Sequence, residues 1–240
     1  MSATTMVKPQ NRSVQVFFDR SPSANRDSAE RTAIRATIIT LFDPDSNDQA
    51  LEAEFGTPFA VLPSDFDQNS VPQSIQDYLK ELTVTANAAA ASLACGSILA
   101  GHASEADEFG DIAFWLGDGD YTQGHERDVL IHMDLGHLMQ QDVKPQVSQT
   151  QSMCWEKRLS LTVGQYQTVE ISQRTGLPTT VHVPASPSSN VSRFRELLGK
   201  LSACRVFCVH GGLSVYILLG RYEAERHSGW AGLLGLGVES

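Results

Sequence analysis

Apolar and polar residues alternate with period two in several short runs of this chain, and that alternation is its dominant local signal. Runs rich in β-branched or aromatic residues and bounded by Gly, Pro, Asp or Asn predict strands at about Ser13–Phe18, Ala33–Phe42, Asp111–Leu116, Val129–Leu135, Met153–Val163, Gln167–Ser172, Thr179–Val183, Arg205–Val209 and Leu213–Tyr222. Two segments follow a helical period instead. In SVPQSIQDYLKEL, Pro72 suits a first helical turn, and Ile75, Tyr78, Leu79 and Leu82 share a face. In SNVSRFRELLGKL, Ser189 or Asn190 can cap a helix whose apolar stripe is Val191, Phe194, Leu197, Leu198 and Leu201. The alanine-rich TANAAAASLACGSILAG favours a third helix by propensity, although Ser97–Leu99 and the nearby glycines also suit a buried strand.

Gly211 and Gly212 separate two strand-like runs and supply the backbone freedom of a tight hairpin, whose second arm is apolar on both faces and so belongs between two layers. Strands that dominate, with two or three short helices in connections, predict a mainly β domain of the β-sandwich or jelly-roll kind. Residues 1–12 are expected to be a flexible N-terminal arm and 13–228 a single β-rich domain. Residues 229–240 read as an apolar, glycine-rich C-terminal tail that docks on its own domain or covers a neighbour.

Composition narrows the setting. The 240 residues, 41% hydrophobic, suffice for a proper core. The densest apolar run, Val206 to Leu219, is interrupted by His210, Gly211 and Gly212, so no membrane span is expected. The N-terminus lacks the apolar core of a signal peptide, which predicts a cytoplasmic or other reducing compartment in which Cys95, Cys154, Cys204 and Cys208 stay as thiols.

The net charge of −10 is unevenly distributed. Residues 1–42 hold six bases and three acids, residues 43–120 hold one base (Lys80) and fifteen acids, and residues 121–240 hold eleven bases and ten acids. Such an acidic middle repels phosphate backbones. Any nucleic-acid contact would fall to the sparse N-terminal bases Lys8, Arg12, Arg20, Arg26, Arg31 and Arg35, which equally suit the acidic middle of a neighbouring subunit.

Three constellations carry candidate chemistry. LFDPDSNDQALEAEFG meets a calcium loop at Asp43, Asp45, Asn47 and Glu54, but Asp48 occupies the position that usually needs glycine, the preceding IRATIITLF reads as a strand, and FGTPF breaks an exiting helix. An acidic connection is the expected form. HERDVLIHMDLGH gathers His125, His132 and His137 with Glu126, Asp128 and Asp134, yet no single strand or helix aims all three histidines at one ion. As a strand it points Val129, Ile131, Met133 and Leu135 inward, with His132 and Asp134 on the other face. CRVFCVH places Cys208 and His210 on one strand face without the paired spacing of a zinc site, so a buried structural role is expected for its cysteines. No nucleophile elbow, phosphate-binding loop or dinucleotide fingerprint is present.

Two functions remain on the sequence. The first is a non-enzymatic structural or interaction protein that self-assembles as a homo-oligomer, resembling a jelly-roll capsid-type subunit at the level of pattern. It needs no cofactor. The second is a metal-dependent enzyme or small-ligand-binding protein, with zinc or calcium held where His132, Asp134 and His210 meet across neighbouring strands.

Overall fold

The computed structural model of the chain describes residues 5–7, 14–19, 29–42, 56–67, 70–136, 138, 166–211, 213–224 and 227–238. Its spine is one mixed sheet of eight strands: β1 (Thr5–Val7), β2 (Val14–Asp19), β3 (Thr57–Pro63), β4 (Ile112–Gly117), β5 (Tyr166–Val169), β6 (Leu201–Val209), β7 (Ser214–Ala224) and β8 (His227–Gly237). They lie in the order β1-β2-β3-β4-β8-β7-β6-β5. Among the described strands only β3 and β4 run parallel, with Ala60 opposite Ala113 and Val61 opposite Phe114. Among the described residues four α-helices cover the sheet: α1 (Ala29–Phe42), α2 (Gln73–Ser92), α3 (Glu126–His132) and α4 (Ser189–Leu198).

Period-two alternation sorts the strand residues into two cores. Ile112, Phe114 and Leu116 of β4 join α1 and α3, through Ile34, Ile38, Val129 and Leu130, in one core. Ala113 and Trp115 join α2 and α4, through Leu79, Leu82, Phe194 and Leu197, in the other. Both faces of the central strands are therefore dry, which explains the continuous apolar runs in β4, β7 and β8. The β-rich expectation holds in the sheet itself. The described strands form a single sheet between helical layers, where two packed sheets were expected, and the described α-helices are four, one of them 20 residues long.

Each departure has a physical cause. Ala33–Phe42, expected as a strand, belongs to α1. Its β-branched residues cost about half a kcal/mol each in a helix. Burial of Ile34, Ile38, Leu41 and Phe42, spaced three to four apart on one stripe, contributes roughly 1.5–3 kcal/mol per side chain and outweighs that cost. Val129–Leu135 is likewise not a strand: α3 runs to His132, Asp134 takes φ 55° beyond it, and Ile131 faces solvent while Val129, Leu130 and Met133 are buried. Thr179–Val183, expected as a strand, is not one: Thr179 and Thr180 lie in a turn and Val181 in a bend. The expected strand Met153–Val163 lies outside the described residues.

The segment expected as a C-terminal tail is β8, the strand that joins the two halves of the sheet, pairing with β4 on one side and β7 on the other. Glycine is required there for close approach. A side chain at Gly235 would begin 2.3 Å from Ser97 Oγ and 2.5 Å from Asp111 Oδ1. Within the expected N-terminal arm, Thr5–Val7 pair with β2 as an edge strand.

Helix α2 starts after Pro72 as the sequence predicts and continues through the alanine-rich stretch to Ser92. Small residues at Ala86, Ala89 and Ala90 bury its second half, and Thr83 stitches β3 to β4 by donating to the Phe59 carbonyl at 2.6 Å and accepting the Ala113 N–H at 2.8 Å. Helix α4 is capped by Ser188, whose hydroxyl accepts the Val191 N–H. No helix among the described residues is long and apolar enough to cross a membrane.

Candidate functional site

The parallel pair β3 and β4 creates a crevice. From the end of β3 the chain passes to α2 on one face of the sheet, whereas from the end of β4 it passes to α3 on the other. Adjacent connections that diverge in this way leave an opening at the carboxyl ends of the strands, where open α/β sheets bind their ligands. Here the opening is a groove of about 610 Å³. Ser64 and Asp65, after β3, form one wall. Tyr121, after β4, and Asp128, Ile131, His132 and Asp134 around α3 form the other.

Two devices fix the β3 wall. Gln15, almost fully buried on β2, donates its Nε2 to the carbonyls of Ser64 and Phe66, each at 2.9 Å, and so holds the residues on both sides of Asp65. The ring of Phe66 packs where a Gly117 side chain would begin, 2.6 Å away, and Gly117 itself takes φ 68°, so glycine is required on both counts.

At the centre of the groove the Tyr121 hydroxyl is hydrogen-bonded to His132 Nδ1, and the Asp65 carboxylate stands 3.7 Å from His132 Nε2. Tyr121 is also braced by an edge-on contact with Trp230, whose indole N–H donates to the Gly119 carbonyl at 2.9 Å. Burial, with the negative charges of Asp65 and Asp128, raises the Tyr121 phenol above its ordinary value, so the group is a proton donor at neutral pH. At the rim His125 sits between Asp128, 2.9 Å from its Nδ1, and Asp120, 3.6 Å from its Nε2. The Asp120 carboxyl is held below its usual range by hydrogen bonds from Thr122, assisted by His125 and Arg205. Behind the groove, Arg205 of β6 lies over the Trp230 ring and 3.4 Å from the buried Glu126, and desolvation lowers its pKa.

Of the residues that the sequence singles out, His132 and Asp134 share this groove. His210 does not join them. It follows β6 at the opposite end of the sheet, where its Nε2 is 2.8 Å from Gln167 Oε1 and its Nδ1 is 3.4 Å from Ser214 Oγ. Asp43, Asp45, Asn47 and Glu54 lie outside the described residues, as do His137 and Cys154. The chain that follows them enters a strand, β3, at Thr57. Among the described residues no group of three or more His, Cys, Asp or Glu side chains is placed to hold a metal ion. Among the described residues Cys95, Cys204 and Cys208 form no disulfide.

Sequence reasoning missed Asp65 and Tyr121 as site residues. The available signal was an acidic or turn-rich residue group directly after each of two apolar runs, FAVLPSD and IAFWLGDGDY, the pattern of strand ends feeding helices. The chain matches no protein-family model, no curated protein and no solved structure.

Proposed function

We propose that the protein is a non-enzymatic interaction protein whose groove at the ends of β3 and β4 receives a cationic group of a partner, foremost the basic N-terminal residues of a second copy. The observation that carries this reading is the composition of the groove. Asp65, Asp128 and Asp134 line it beside the Tyr121–His132 pair, and among the described residues no Lys or Arg does. Within the same chain, residues 1–42 hold six bases against three acids, and every base but Arg31, which is buried on α1, is a candidate for that contact. Complementary charge of this kind steers encounter and fixes orientation more than it adds raw affinity. Self-association thus needs no jelly roll or capsid-type sandwich.

Light scattering coupled to size exclusion tests it on the full chain. Association is expected at low salt and should fade at high salt, because exposed charges are screened beyond about 8 Å at physiological ionic strength. The double variant Asp65→Asn/Asp128→Asn should behave at low salt as the unaltered protein does at high salt. A monomer under every condition, even at high concentration, would overturn the proposal.

A second reading rests on the alignment of Tyr121, His132 and Asp65. A hydroxyl, an imidazole and a carboxylate in series can move a proton, which supports a small-molecule enzyme using Tyr121 as general acid. Turnover with Tyr121→Phe inactive would favour it.

A further inference from the structure

On the face of the sheet that carries α2 and α4, a second cavity of about 460 Å³ opens between α4, the turns that follow β5, and the start of β6. It is separate from the acidic groove and unlike it in chemistry. Ile171, Leu198 and the half-buried Cys204 supply an apolar floor, and Ser192, Arg195 and Glu196 stand at its mouth. Burial pushes the Cys204 thiol up to about 11, so at neutral pH it is a protonated, apolar surface.

The charges at the mouth do not cancel. Glu196 is engaged by Arg193 at 2.8 Å, and Arg193 also bonds Glu81 of α2. The Arg195 side chain has no hydrogen bond or ion pair among the described residues. The negative end of α4 is answered locally, because the carbonyls of Arg195 and Leu197 accept the N–H groups of Gly199 and Lys200 at 2.9 and 3.1 Å. One guanidinium is therefore left over an apolar cavity.

Cavities of about 300–1,000 Å³ with an apolar lining and a few polar groups are the usual form of small-molecule sites. A guanidinium offers a carboxylate two parallel N–H donors, a geometry that an ammonium or hydroxyl ligand cannot use. We propose that this cavity binds a small apolar carboxylic acid, with its hydrocarbon against Ile171, Leu198 and Cys204 and its carboxylate on Arg195.

Cys204 reports on occupancy. Cleavage after Lys200 and Arg205 isolates it in the peptide Leu201–Arg205, apart from Cys208. The native protein would be alkylated with iodoacetamide at mildly alkaline pH in the presence of octanoate, octanol or octylamine, and modification of that peptide followed by mass spectrometry. Octanoate should slow it several-fold and saturably, octanol less, and octylamine not at all. Arg195→Gln, at an exposed position, should reduce octanoate to the level of octanol without changing octanol. Calorimetric titration with octanoate gives a parallel readout that does not depend on thiol reactivity, with heat expected from the unaltered protein and lost in Arg195→Gln. Absence of both protection and heat, equal protection by octylamine, or octanoate binding unchanged in Arg195→Gln would each overturn the proposal.

Discussion

Asn87 and Asp111 are bound to each other twice. The side-chain amide of Asn87 donates from Nδ2 to the Asp111 carbonyl at 2.8 Å, and its Oδ1 accepts the Asp111 N–H at 3.0 Å. A helix side chain thus does for the first residue before β4 what a neighbouring strand does elsewhere in a sheet, and it anchors α2 at a fixed height along the strand. Asn87→Ala leaves a buried donor and a buried acceptor without partners, each worth about 1–3 kcal/mol, and is expected to cost roughly 2–6 kcal/mol in total. Chemical denaturation of the two proteins measures it directly.

The side chain of the same Asp111 makes stability depend on pH. Complete burial pushes its carboxyl up to about 6, while hydrogen bonds from Ser97, Ile98 and Leu99 act in the opposite direction. In the unfolded chain the group titrates near its ordinary value of 3.8. Between these values the folded state holds a proton that the unfolded state has released. The associated stability is therefore fully present below about pH 4 and is lost as pH rises through about 6, to the extent of roughly 3 kcal/mol. Asp111→Asn removes that titration. Thermal melts from pH 4 to 7 should show the unaltered protein losing stability relative to the variant, and parallel profiles would count against a titrating Asp111.

Gly235 faces this carboxylate across the sheet. Because a methyl group there would begin 2.5 Å from Asp111 Oδ1 and 2.3 Å from Ser97 Oγ, Gly235→Ala must displace the turn that solvates the buried acid. A loss of about 3 kcal/mol or more is expected, larger than that of an ordinary overpacking substitution. Double-mutant analysis with Asp111→Ala should show strong coupling, since the smaller side chain makes room for the added methyl.

In the groove, the Tyr121 phenol is raised first by burial and then by Asp65 and Asp128. Asp65→Asn/Asp128→Asn should lower its titration midpoint part of the way back, leaving the contribution of burial. Following phenolate absorbance against a Tyr121→Phe blank isolates the signal. An unchanged midpoint in the double variant would show that the two carboxylates do not act on this hydroxyl.

The degree to which sequence foretold structure follows the range of the forces involved. Val14–Asp19, Ile112–Gly117 and Ser214–Ala224 are close to the predicted strands, and Gln73–Ser92 matches its helical stripe and alanine run, because in each case local pattern and burial agree. They disagree in α1, where β-branched residues favour a strand and the sheet face of Ile34 and Ile38 decides for a helix. They also disagree in β8, where glycines that argue against regular structure are what admit the Asp111 turn. In the groove, His132 and Asp134 are two residues that the sequence singles out, though it joins them to His210, which lies elsewhere. Their neighbours Asp65 and Tyr121 were not legible, because the contact between loops 65 and 121 exists only once β3 and β4 lie side by side.

The place of β8 has a consequence for synthesis. Strands β1 to β4 form one half of the sheet and β5 to β7 the other, and of the described strands β8 alone is hydrogen-bonded to both. A ribosome that has delivered residue 217 has released Ile112 long before, yet both wait for Leu234, which pairs with each of them. Until then the nascent chain carries two half-sheets with the apolar edges of β4 and β7 open, the arrangement most exposed to wrong pairing. Completion of the sheet is thus a late event on the nascent chain, and chaperone demand should peak just before β8 emerges.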